Sequence, residues 1–172
     1  MTYREATGVE KTLINRALDR WGVFEVFKEK MIIIEENGRS KKVLLVPREL
    51  KPLIMKMRPY KAGLGIGELK KQFMPSMPGA DLFARIGKRN DFYITVNEIA
   101  EKLVLYGRDV MGESIVEASS KIGENELVIV LNSMLEAIAI GRTRFDGKYL
   151  FQRGKVTVTT LTDAGYYLRE EG

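Results

Sequence analysis

Neither cysteine nor histidine occurs among the 172 residues of this chain. Without cysteine there are no disulfides, thiolate metal sites or cysteine nucleophiles. Without histidine there are no Ser-His triads, imidazole-ligated metals or imidazole acid–base chemistry. Long apolar runs are missing too, since none approaches the roughly 18 residues of a membrane span. The first twenty residues lack the uncharged core of a signal peptide. Cytoplasmic location with no membrane partner is the expectation. Glutamine is scarce, with Gln72 and Gln152 alone beside abundant lysine and glutamate, a balance that leans toward thermophiles. The 45% apolar content is that of a globular protein and excludes wholesale disorder. A chain of this length buries ~70% of its unfolded surface, as one domain or two small ones.

Charge is divided unevenly. Residues 1–90 hold 19 Lys+Arg against 10 Asp+Glu, a balance of +9, whereas residues 91–172 hold 9 against 13, a balance of −4. The sum is the overall +5. Residues 47–90 carry ten cations opposed only by Glu49, Glu68 and Asp81. Within the acidic half one segment inverts the sign: Arg142, Arg144, Lys148, Arg153 and Lys155 face Asp146 alone. A polyanion such as RNA favours such segments, because neutralised phosphates release counterions. A solvated or solubilising edge would also be charged.

Apolar spacing predicts a helix over 9–21, anchored by Trp21 in the core and ended by Gly22. The runs Val23–Phe27, Met31–Glu35 and Lys42–Val46, with a turn at Glu36-Asn37-Gly38, predict an antiparallel meander. Pro47 opens a helix through Met57. Residues 61–67 suit a glycine-relaxed strand or turn, and a short helix is expected at 79–86. The polar stretch 87–91 coincides with the change of charge sign and marks a boundary between domains 1–90 and 91–172. Beyond it come strand 92–96, helix 98–105 closed by Gly107, strands 126–131, 137–141 and 156–161, and a short helix around 164–168.

Nucleotide-binding motifs fail on spacing. Gly63-Leu64-Gly65-Ile66-Gly67 lacks the G-x-G-x-x-G interval and suits a turn or a close backbone approach instead. Gly147-Lys148 and Gly154-Lys155 do not form a phosphate loop, because Val156 stands where Ser or Thr must bind magnesium. The carboxylate pairs Asp109/Glu113, Glu35/Glu36 and Glu170/Glu171 sit in predicted turns or at the terminus, which gives no catalytic constellation. Tyr166 and Tyr167 are candidates for base stacking, with at least one expected to pack inward. The stretch 141–155 joins two strands and carries five cations, whose guanidinium forks suit phosphate contact and stacking on unpaired bases.

Tyr106-Gly107-Arg108-Asp109-Val110, Asn132-Ser133-Met134, Ala139-Ile140-Gly141, Gly154-Lys155-Val156 and the closing Asp163-Ala164-Gly165-Tyr166-Tyr167-Leu168-Arg169 together resemble a PUA domain, named for pseudouridine synthase and archaeosine transglycosylase. They resemble in particular the Nip-seven family, factors in biogenesis of the large ribosomal subunit. Leu64-Gly65, Lys70-Lys71, Phe73 and Asp81-Leu82-Phe83 follow in the order of that family's preceding domain. Val96 is followed by Asn97-Glu98, where the family usually has Pro-Gly.

The resemblance implies an α+β fold, an N-terminal α/β domain with antiparallel strands before a PUA pseudobarrel of mixed strands. It further implies a non-enzymatic factor in pre-rRNA processing that needs no metal or other cofactor. Single-stranded, uridine-rich pre-ribosomal RNA would be the partner, alongside other ribosome assembly factors. Gly107 would admit the RNA backbone, with Arg108 beside it and Arg142, Arg144, Lys148, Arg153 and Lys155 as the electrostatic contacts. Two alternatives stay open at this point: an accessory to an RNA-modifying enzyme, and a protein-binding scaffold.

Overall fold

The computed structural model describes residues 1–28, 30–166 and 169, and it divides into two compact units, Met1–Lys88 and Arg89–Gly172. The first holds strand β1 (Thr2–Glu5), helices α1 (Gly8–Arg20) and α2 (Phe24–Phe27), strands β2 (Met31–Asn37) and β3 (Ser40–Val46), helix α3 (Lys51–Met57), strands β4 (Leu64–Leu69) and β5 (Phe73–Pro75), and helix α4 (Met77–Ile86). Its five strands pair in sequence order, all antiparallel.

Because side chains alternate across a strand, Ile33, Leu44 and Val46 share one face with Tyr3, and Ile54 of α3 packs there. Ile34 and Val43 face the other way. On that second side, Arg4 and Lys41 reach Glu10 of α1. Both faces are covered, which is why β2 begins as an unbroken apolar run rather than an alternating one.

One expected strand is a helix. Composition places Val23–Phe27 at the start of the meander, but Gly22 turns at φ +71° and the Val23 N–H returns to the Leu18 carbonyl at 2.8 Å. That winds Phe24–Phe27 into a helical turn. Phe27 then meets Phe83 edge to face, ring centroids 5.9 Å apart. The edge strand is supplied by β1 instead, whose four residues are too few to show a period. Of the turn or close approach expected of the glycine cluster, Gly67 serves a close approach. A Cβ on Gly67 would lie 2.5 Å from the Met74 carbonyl oxygen, so β5 could not pair there.

Glu10 is the electrostatic centre of this unit. Its carboxylate accepts from both Arg4 Nη atoms (2.7 and 2.9 Å), from Lys41 Nζ (2.9 Å) and from the Thr7 N–H, which completes a capping box on α1. The Arg4 hydrogen bonds, above all, hold its pKa well below the usual carboxylate range. A depressed folded pKa adds stability above the unfolded value of about 4.3, and that stability drains away as pH falls. Glu10→Gln is therefore expected to cost about 1–3 kcal/mol at pH 7. Thermal unfolding from pH 7 to pH 3 checks the sign, with a smaller acid-dependent loss in the variant than in the parent. An identical pH dependence would contradict it.

The second unit holds β6 (Tyr93–Val96), α5 (Glu98–Leu105), β7 (Val110–Met111), β8 (Ile115–Glu117), β9 (Leu127–Leu131), β10 (Ala137–Thr143) and β11 (Val156–Asp163). The sheet order is β7-β11-β10-β9-β6-β8, with β6 and β9 parallel and every other pair antiparallel. This mixed sheet curls around a core drawn from every strand, from Ala100 and Val104 of α5, and from Leu150. Of the helix expected around 164–168, Tyr166 and Arg169 have helical backbone, while Tyr167 and Leu168 lie outside the described residues, as do Glu170 and Glu171. Among the described residues no helix is long and apolar enough to cross a membrane.

Candidate nucleic-acid interface

Helix α5 is fixed at both ends by local chemistry. The Asn97 side chain accepts the Ala100 N–H at 2.9 Å, a cap that Pro-Gly would not supply. At the far end the Gly107 N–H returns to the Val104 carbonyl and the Arg108 N–H to the Leu103 carbonyl, a Schellman closure. Gly107 sits at φ +78°, where a side chain would be strained.

From the terminal pattern, Asp163, Gly165 and Arg169 hold this turn in place. Arg169 binds both carboxylate oxygens of buried Asp163 at 2.9 Å and also donates to the Leu105 carbonyl. Gly165 lies so close that a Cβ would stand 2.0 Å from that carbonyl oxygen.

The turn continues alongside β11. The Thr160 hydroxyl donates to the Arg108 carbonyl and the Thr160 N–H to Asp109, both at 2.9 Å. The other Asp109 oxygen lies 3.4 Å from Arg144 Nη2. Asp109 thus brings the Gly107–Arg108 turn to the start of the basic segment.

Arg142 is not in the connecting loop as expected. β10 runs to Thr143, so Arg142 is a strand residue paired with Leu127 on one side and Thr159 on the other. A register shift at Ile140/Gly141 carries the ladder past the glycine expected to end it. Arg142 Nη1 donates to the Asn125 carbonyl at 2.9 Å, and Arg144 Nε to the Thr159 hydroxyl at 2.7 Å. With Glu124, Asn125, Thr159 and Leu161 the two arginines border an open cleft of about 400 Å³. Guanidinium forks on the border of the cleft suit an anion entering it.

Lys148, Arg153 and Lys155 stand outside that cleft, on the loop that follows. This loop is clamped. Leu150 is fully buried in the core, and the Gly147 N–H donates to the Ile122 carbonyl at 2.7 Å. The Gly112 N–H donates to the Lys155 carbonyl at 2.9 Å. Backbone N–H groups of Glu113 and Gly154, with Arg153 nearby, hold the Glu113 carboxyl below its ordinary range. Asp109 and Glu113, paired in the sequence, therefore serve two different anchoring contacts.

Aromatic rings lie between the cations, a feature the charge pattern alone does not single out. Lys148 Nζ is 4.8 Å from the Tyr149 ring centroid, and Lys155 Nζ is 5.7 Å from that of Phe145. Tyr149 and Phe151 are each about half exposed. The signal is present in the alternation Arg144-Phe145, Lys148-Tyr149 and Phe151-x-Arg153.

A Cβ on Gly147 would stand 2.1 Å from the Ser119 carbonyl oxygen, so Gly147→Ala must displace the loop. Faster amide exchange across residues 144–153 is the expected result, and unchanged exchange would contradict the clamp.

Comparison with known proteins matches both units. Residues 3–77 fit the model described as NIP7/UPF0113, pre-PUA domain, and residues 92–172 fit the UPF0113 PUA domain. A UPF0113 protein of Archaeoglobus fulgidus is 34% identical over 173 residues, covering 99% of this chain and 97% of the relative. Among solved structures, a conserved PUA domain protein from Thermoplasma acidophilum superposes with a TM-score of 0.69 at 17% identity over 99% of both chains. A hypothetical protein from Pyrococcus horikoshii gives 0.69 at 18% identity over 98% of both. The mixed sheet of the second unit is accordingly a PUA pseudobarrel, and the chain as a whole belongs to the NIP7/UPF0113 family.

Proposed function

We propose that this protein is a non-enzymatic RNA-binding factor that holds single-stranded, uridine-rich RNA during assembly of the large ribosomal subunit. The observation that carries the RNA part is the clamped loop on which Lys148, Arg153 and Lys155 alternate with half-exposed Tyr149 and Phe151. Family membership supports the ribosomal setting. Arg142 and Arg144 hold phosphates at the neighbouring cleft, with Arg108 on the turn that Asp109 joins to Arg144. Gly107 shapes that turn, and the three loop cations carry the strand onward.

Backbone contacts of this kind give affinity without sequence information. Rings offered to solvent take up bases only when those bases are unpaired, so the arrangement favours single strands over duplex.

The test is fluorescence anisotropy of the full chain with oligo-U, oligo-C and an RNA duplex across a salt series. Salt-dependent binding that ranks oligo-U first and duplex last is the expected result. Weak binding that ignores base and strandedness would overturn the proposal and favour a protein-binding scaffold.

A further inference from the structure

Helix α3 puts only Ile54, and in part Met55, into the core of the first unit. Its remaining apolar residues are turned out. Leu53 is 51% exposed and Met57 68%, with Leu50 beside them in the preceding turn. Positions 50, 53 and 57 recur at helical spacing, so these side chains make one stripe. Tyr60, just beyond the helix, is 84% exposed. Its neighbour Pro59 is held by a hydrogen bond from the Tyr3 hydroxyl at 2.9 Å. Contiguous exposed apolar surface of this kind marks a contact site more often than a solvated face.

Charge indicates what covers it. Residues 47–64 contain Arg48, Lys51, Lys56, Arg58 and Lys61 against Glu49 alone. From the packed neighbour β1, Glu5 pairs with Lys51, so that cation is already engaged. Lys56 and Lys61 remain on exposed positions beside the stripe. Flexible aliphatic side chains, Leu and Met above all, pack against other aliphatic side chains and offer no flat face for a base to stack on. We infer that the α3 stripe, with its flanking lysines, docks an acidic amphipathic helical segment of a partner protein. The apolar residues of that segment would meet Leu50, Leu53 and Met57 as a helix laid against a helix, and its carboxylates would meet Lys56 and Lys61. This site lies in the other unit from the RNA loop and stands whether or not the RNA reading does.

The test places a photo-crosslinking amino acid at Leu53 of the full chain in its native host cells and sequences the peptides captured. The expected catch is a segment with excess Asp and Glu and apolar residues at three- and four-residue spacing. Synthesised alone, that segment should bind the purified protein and lose at least tenfold affinity to Leu53→Asp or Met57→Asp. Lys56→Glu should weaken it too, with the thermal midpoint and RNA affinity of each variant unchanged. Crosslinks to RNA, to lipid, to a second copy of the chain or to basic segments would overturn the inference, as would no crosslink at all.

Discussion

Replacing Arg142, Arg144 and Arg153 together by alanine is expected to lower affinity for a uridine single strand about 100-fold at about 0.1 M salt. Each phosphate contact on a single strand contributes about 0.7 to the slope of log affinity against log salt, so three contacts contribute about 2. Extrapolated from about 1 M salt to about 0.1 M, that slope amounts to two decades of affinity. The variant should thus bind weakly and depend less on salt. Its fold should hold, because among the described residues the arginine side chains bond at the surface: Arg142 with the Asn125 carbonyl, and Arg144 with Asp109 and Thr159. Exposed pairs of this kind contribute about 0–1 kcal/mol each. Unchanged affinity with unchanged slope would remove the arginines from the interface. Weak binding together with an abolished thermal transition would instead make them structural.

The second large effect separates stacking from charge. Tyr149→Ala and Phe151→Ala leave every cation in place, yet each ring that carries a base should cost about 1–3 kcal/mol, roughly 5- to 150-fold in affinity. The salt slope should stay that of the parent, since no phosphate contact is removed. Both rings are half exposed and neither belongs to the core cluster, so stability should change little. Tyr149→Trp, which keeps a π-face, should retain binding. If alanine at both positions leaves affinity untouched while the arginine variant fails, bases are not stacked there and the loop is an electrostatic surface only.

The legible parts of this fold are those set by local chemistry. Helix 98–105 is readable because its spacing, its polar start at Asn97 and its glycine stop lie close together in the chain, and the structure closes it as a Schellman turn. The strands expected at 126–131 and 156–161 announce themselves by β-branched composition and are found at 127–131 and 156–163. What escapes depends on partners far away in the chain. β1 exists because Thr2–Glu5 finds Ile33–Glu36, and nothing in so short a segment signals that pairing. Val23–Phe27 has strand composition but is wound by the Gly22 turn and by Phe83, which is distant in sequence. At the interface, the cations are visible as charge, whereas Asp109 linking the Gly107 turn to Arg144 requires β11 to lie between them. The aromatic interleaving is in plain view, and weighing cations without their neighbours hides it.

RNA crosslinking with mass spectrometry on the full chain bound to a uridine single strand gives the most direct test of where RNA sits. Crosslinked peptides should centre on Tyr149 and Phe151, with protection from amide exchange extending over residues 142–155. Crosslinks confined to residues 1–88, with the loop unprotected, would contradict the assignment of RNA binding to this face of the PUA unit.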